Sequence, residues 1–274
     1  MHQLNQYGVK SIIALFEPTY FTYMQLMGTS KESFGWDNLD KIMSIQKGNA
    51  SHDERFRHTW WCWSHLQLAY HFGELEMAGK MYHPFLKASA VHTSYIVTTV
   101  RVFFSGLVSS GLYRKTGKTL YKRRAEKMIK EMEKVMSSQR GLNNLHRYLL
   151  MQADMMACSS SKSRKKQNEV KEAFDKAIAM AGKAGFRQDA AVGNELAGEY
   201  LLMTGEDNKF WAEFYFSRAY DLYMEWGAVA KADQLKIKRG DLMNESLGNR
   251  RASTNSSSLR CLASGDHSFI HKAV

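Results

Sequence analysis

Apolar residues in this chain return every three or four positions over long stretches. Between residues 119 and 136, Tyr121, Ala125, Met128, Met132 and Val135 occupy one helical face, and Lys122, Arg123, Lys127, Lys130 and Lys134 fall largely opposite. Ile96, Val100, Phe103 and Leu107 keep the same period through residues 91–112, a β-branched run that is nevertheless too long for one strand. The same reading predicts further helices over 37–46, 51–72, 75–90, 143–158, 166–184, 188–203, 208–226 and 228–240, separated by Gly, Ser or Asn. Near the N-terminus "SIIALFEPTYFTYMQLMG" is apolar, but Glu17 and Pro18 interrupt it. It predicts a buried or amphipathic helix rather than a membrane span. From about Asn244 the period is lost, and a Ser- and Arg-rich composition predicts a disordered tail. "SSSKSRKK" at 159–166 predicts a flexible basic loop.

Composition sharpens the fold class. Pro18 and Pro84 are the only prolines, and sixteen Met accompany abundant Ala, Leu, Lys and Glu, which favours an all-α chain. The net charge of +11 is concentrated in Lys115–Lys134, Lys162–Lys171 and the tail, and blocks of this kind are usually solvated helix faces. Cys62, Cys158 and Cys261 are odd in number and far apart, which fits free thiols in a reducing, cytoplasmic compartment.

Small and aromatic residues also recur in register. Gly73 is followed by Ala78 and Tyr82; Val170, Phe174 and Ala177 share their spacing with Ala212, Phe216 and Ala219; Leu196, Ala197 and Tyr200 precede Gly205 at a turn. Small positions let two helices of a hairpin approach, and aromatic positions fill the gap to the next hairpin. The pattern predicts a right-handed array of tetratricopeptide-like hairpins, an α-solenoid, against the alternative of a non-repetitive helical bundle. The expected organisation is an N-terminal helical segment at 1–35, a repeat domain at 36–242 and a tail at 243–274.

The runs Phe186, Ala190, Asn194, Glu195, Leu196, Ala197 and Tyr223, Trp226, Gly227, Ala228, Ala230, Lys231 resemble the helical repeat region of large multidomain STAND-type signalling ATPases. The resemblance is good from about 166 to 235 and extends back to about 36 through "LAYHFGELEMA" and "NLHRYLLMQAD". In that family the repeats follow a P-loop ATPase module and precede histidine kinase or nucleotide cyclase outputs, and neither module is present in this chain. The resemblance implies a scaffold or sensing role, and it carries over no catalytic residue and no cofactor.

Four constellations bear on chemistry. "GLYRKTGKT" invites a phosphate-loop reading with Lys118 and Thr119, but five residues separate Gly111 from Gly117 where the motif needs four, and no second ATPase motif follows. The alternative is a turn, with Gly117 in the left-handed region and Thr119 opening the next helix. Glu54, His58, Cys62 and His65 share a helical face with metal-ligand spacing, yet no second element completes a site, and Trp60, Trp61 and Trp63 point to dense packing. The basic helix with Arg123 and Arg124 could meet phosphates, but no recognition motif accompanies it, so no nucleic-acid role is expected. Arg250, Arg251 and Ser253 match the preference of basophilic kinases and mark Ser253 as a candidate phosphorylation site. Tyr70, Tyr82, Tyr200 and Tyr223 are aromatic positions that either pack or bind. The expectation is a non-catalytic interaction or regulatory scaffold without cofactor or metal. It would hold a protein or peptide partner on its concave face, in association with an ATPase, kinase or cyclase module. The alternatives are an NTPase using residues 117–119 and a basic nucleic-acid-binding regulator.

Overall fold

The basic stretch that opens with Thr119 and the β-branched run before it form two helices joined by a single tight turn. In the computed structural model, which describes residues 10–30, 52–83, 95–137, 142–159 and 163–243, these are α4 (Tyr95–Thr116) and α5 (Thr119–Ser137). Helical period overrides β-propensity because the α4 face of Val100, Phe103 and Leu107 is fully covered by neighbouring helices. Ahead of them lie α1 (Lys10–Met27), α2 (His52–His71) and the short α3 (Leu75–Lys80). After them come α6 (Leu145–Ser159), α7 (Arg164–Lys183), α8 (Arg187–Thr204), α9 (Lys209–Trp226) and α10 (229–243). No strand occurs among the described residues, so the fold is all-α. The predicted helix at 37–46 and the tail with Ser253 and Cys261 lie outside the described residues.

The structure adds local detail at three places. Pro18 does not break its helix: α1 runs through it, and the Pro18 carbonyl accepts hydrogen bonds from Thr22 Oγ1 at 2.9 Å and Ser64 Oγ at 3.0 Å. The second bond ties α1 to α2, so the proline marks an inter-helix link. Of the helix expected over 75–90, Leu75–Lys80 form α3, Met81 is a turn whose amide bonds to the Ala78 carbonyl, helix resumes at Tyr82 and His83, and residues 84–90 lie outside the described residues. Arg164, Lys165 and Lys166, expected in a loop, form the first turn of α7.

Consecutive helices pack as antiparallel pairs: α4 with α5, α6 with α7, and α8 with α9. Alternate helices also touch, α2 with α4, α4 with α6, and α6 with α8. The residues singled out by their spacing sit in these seams. Ala78, Val170, Phe174, Ala177, Ala197, Tyr200, Ala212, Phe216 and Ala219 are all buried. Each buried phenylalanine contributes roughly 1.5–3 kcal/mol of transfer free energy. The α8–α9 seam is closest at Gly198, where a Cβ would lie 2.9 Å from Phe216 Cε1. Ala and Gly at such positions bring the helices together, and Phe174 and Phe216 fill the space that closeness creates.

The last described helix meets the first two. The Gln234 side-chain amide donates to the Phe72 carbonyl at 3.1 Å, and Gly28 would place a Cβ 3.3 Å from that of Ala230. α10 therefore lies against the ends of α1 and α2.

Candidate functional site

A cavity of about 150 Å³ opens between α2, α4, α8, α9 and α10. Its walls come from α2 (Tyr70, His71), α4 (Leu107, Gly111, Arg114), α8 (Val192, Glu195, Leu196, Glu199), α9 (Tyr223) and α10 (Lys238). Apolar side chains form the floor, and charged groups reach it already paired.

The first pair belongs to α4 and α6. Arg114 Nη1 donates to Asp154 Oδ1 at 2.6 Å, and Ser110 Oγ donates to Asp154 Oδ2 at 2.5 Å. Asp154 is only 1% exposed. Burial works against the Arg114 charge, but Asp154 outweighs it, so the guanidinium is held protonated more firmly than in water. Cys158 lies 3.4 Å from the same guanidinium and donates to the Ser110 carbonyl at 3.4 Å. Burial, reinforced by Asp154, pushes its thiol up to about 12, so it is neutral at physiological pH.

The second network joins α8, α9 and α10. Glu195 accepts from Tyr223 Oη and from Lys231 Nζ, each at 2.8 Å, and Lys231 also donates to Gln234 Oε1 at 2.9 Å. Lys231 is nearly fully buried and finds its counter-charge in Glu195. Burial first and Glu195 second raise Tyr223 well above the usual phenol range, and Tyr70 is raised by burial, Asp154 and Glu195. Glu199 pairs with Lys238 at 2.9 Å and with the Arg239 guanidinium.

His71 stands between the two networks. Its ring touches those of Tyr70, Phe104, Tyr223 and Trp226 at 5.6–6.2 Å between centroids, and its Nδ1 is buried without a partner. Burial, with the Lys231 charge added, lowers its pKa to about 3, so the imidazole is neutral. A third buried cluster lies off the cavity. His146 Nε2 and Arg147 Nε meet Asp189 Oδ2 at 2.7 and 2.8 Å, and His146 stacks on Phe186. Burial alone would raise the Asp189 pKa, but Arg147 and His146 outweigh it and hold the carboxylate below its usual range.

The sequence candidates distribute unevenly. Tyr70 and Tyr223 line the cavity; Tyr200 packs near Phe174, and Tyr82 lies under the Arg124 guanidinium at 4.6 Å. Cys62 is fully buried, its thiol pushed up to about 12 by burial, and His65 Nδ1 bonds to the Trp61 carbonyl of its own helix at 2.8 Å. The side chains of Glu54 and His58 lie outside the described residues, and no cluster of three metal-ligating side chains occurs among the described ones. In the "GKT" segment Gly117 has φ +68° and its amide bonds to the Tyr113 carbonyl at 2.8 Å; Lys118 and Thr119 are exposed. This is a helix C-terminus in the left-handed conformation, with α5 beginning at Thr119. Arg123, Lys127, Lys130 and Lys134 are exposed on α5, whereas Arg124 is held by Tyr82 and by His83 Nε2 at 2.8 Å. No helix among the described residues is long and apolar enough to cross a membrane.

Sequence reasoning missed Arg114, Asp154 and the Glu195–Lys231 pairing. One signal was available: Asp154 falls four residues after Leu150 on the apolar face of α6, and a carboxylate there needs a partner. No protein-family model, no curated protein and no solved structure matches the chain.

Proposed function

We propose that the chain is a non-catalytic interaction scaffold, a tetratricopeptide-like helical array whose inner face receives a segment of a protein partner. One observation carries the reading. Most of the cavity wall comes from α2, α4 and α8, three of the four alternate helices α2, α4, α6 and α8, and an array of stacked hairpins presents alternate helices on its concave face. Two further features support it. The helices alternate between intra-pair and next-pair packing, and the buried Ala and Phe residues repeat at hairpin spacing. The lining suits recognition of a polypeptide: an apolar floor at Leu107 and Leu196, with charged groups already fixed by their own partners and so costing little to organise on binding. Membership of a STAND-type signalling assembly remains part of this proposal through the sequence resemblance alone.

The test is selection of binders from a random peptide library on the full chain, followed by affinity measurement and cross-link mapping. Expected are peptides mapped to the cleft that weaken about tenfold on Lys238→Glu, a change at its half-exposed rim. Binders that ignore Lys238→Glu and map outside the cleft would refute the reading. So would saturable ATP binding abolished by Lys118→Ala, which would favour a nucleotide-dependent enzyme instead.

A further inference from the structure

The cavity that Tyr70 and Arg114 line has the size of one aromatic ring, since a space of about 150 Å³ holds a benzene molecule. Leu75, Leu107, Val192 and Leu196 make much of its wall apolar. Two polar groups on the wall still have bonds to offer. Both hydrogen bonds of Arg114 leave from Nη1, to Asp154 and to Cys158, so its Nε and Nη2 hydrogens have no acceptor among the described residues. The Tyr70 hydroxyl has no hydrogen-bond partner among them either. Asp154, Glu195 and Arg114 all bear on its charge, which sets it between the two charged networks, where the cavity lies.

The charges around the cavity are already matched. Asp154 answers Arg114, and Lys231 answers Glu195. Glu199 takes both Lys238 and Arg239, and the one positive charge in excess belongs to the rim, where Lys238 is 48% exposed and screened by water. A charged occupant would lose its hydration and meet no counter-charge inside. Leucine, methionine or phenylalanine would fill the space but shut the Tyr70 hydroxyl and the Arg114 N–H groups away from water without partners. An indole is larger than the space and can only donate, whereas Arg114 needs an acceptor. A phenol meets every condition: one ring, no charge, and a hydroxyl that accepts from Arg114 and shares a hydrogen bond with Tyr70.

We infer that the cavity is the pocket for one tyrosine side chain of the partner segment, which rests on the scaffold reading. Its ring packs among Leu107, Val192 and Leu196, and its hydroxyl reaches Tyr70 and Arg114. Asp154 fixes Arg114 in place before the partner arrives, so little order has to be gained on binding. An aromatic anchor desolvated in such a pocket carries most of the affinity of its segment.

p-Cresol, the tyrosine side chain as a separate molecule, and toluene, its phenylalanine counterpart, probe the full chain by ligand-observed NMR. p-Cresol should bind about tenfold more tightly than toluene. Tyr70→Phe should erase most of that difference, and Leu196→Phe, which puts a ring into the cavity, should block both probes. Circular dichroism checks that each variant is folded. Tyr70→Phe removes one oxygen and keeps the ring, so it carries the test even where Leu196→Phe does not fold. Peptides selected on the full chain and mapped to the cleft should each contain one essential tyrosine. Its replacement by alanine should weaken them about 100-fold, and by phenylalanine about tenfold. No binding of p-cresol, binding no tighter than that of toluene, or binding that ignores both variants overturns the inference. Cleft-mapped peptides that need no tyrosine overturn it as well and leave the scaffold reading standing. p-Cresol that binds as expected while no peptide maps to the cleft overturns both, and assigns the pocket to a small free phenol.

Discussion

Protonating His71 should destabilise the fold between pH 7 and pH 5, and the size of the effect follows from its surroundings. The imidazole is 3% exposed among four aromatic rings, and the charged groups that bear on it are Lys231, which opposes a second positive charge, and Asp189, which favours one more weakly. Its pKa falls from 6.5 to about 3 on folding. The folded state therefore takes up no proton at pH 5, while the unfolded chain does. Stability must fall with pH once it drops below about 6.5, and at pH 5 the loss from this residue alone is roughly 2 kcal/mol. Below about 3 the folded state protonates too and the loss levels off. His71→Phe keeps an aromatic ring in the cage and abandons no hydrogen bond at Nδ1, which has none. Urea unfolding of both proteins at pH 7, 6 and 5 measures the effect. The variant should match or exceed the wild type at pH 7 and lose about 2 kcal/mol less on going to pH 5. His65, lowered chiefly by burial, adds a slope of the same sign to both proteins and cancels in the comparison. Parallel pH slopes for wild type and variant would refute the burial argument for His71.

The remaining predictions concern packing and pairing. Asp154→Ala strands the Arg114 guanidinium and should cost about 3 kcal/mol in urea unfolding, whereas Asp154→Leu with Arg114→Met should recover most of it. In the same Asp154→Ala variant Cys158 loses the carboxylate that helps hold its thiol near 12, so thiol modification at alkaline pH should accelerate. Gly198→Ala places a Cβ within 3.0 Å of three ring atoms of the buried Phe216 and should lower stability by about 1–2 kcal/mol. Gly182→Ala, with open space around it, should instead raise stability by up to about 1 kcal/mol through helix propensity. Hydrogen exchange should show α10 opening with a free energy close to that of the end of α2; an α10 that frays far earlier would mean that the Gln234–Phe72 link contributes nothing.

What could be read from the sequence is what local physics controls. The 3.6-residue period located α4 to α10 to within a few residues, because each helix keeps one apolar face against its neighbours. Gly117 announced the turn between α4 and α5 because only a residue without a Cβ takes φ +68° cheaply. The apolar stretch around Pro18 was legible as a helix, and α1 runs through the proline; the bond from Ser64 to the Pro18 carbonyl was not, because it joins positions 46 residues apart. The cleft was not legible. Arg114 and Asp154 are 40 residues apart, Lys231 and Glu195 are 36 apart, and Gln234 meets Phe72 across 162 residues. No period or spacing rule connects positions at such separations; the helix crossings do, and those depend on shapes such as Gly198 against Phe216.

The long-range link also bears on how the molecule holds its cleft. In an open array each hairpin touches only its neighbours, and the terminal helix is the least secured. Here α10 is secured from two directions. Lys231 bonds to Glu195 on α8, and Gln234 bonds to the backbone at the end of α2. His71 of α2 in turn touches Tyr223 and Trp226 of α9, so the first and last layers share one aromatic cage. The cage is apolar and the pairs around it are charged, and each depends on the other. The rings exclude water, which strengthens the Glu195–Lys231 attraction, and the paired charges leave no ion uncompensated beside the rings. The Lys231 charge that helps secure α10 is also one that keeps His71 neutral. The closure that shapes the cleft and the acid sensitivity argued for His71 thus have one physical origin, a buried lysine beside a buried imidazole.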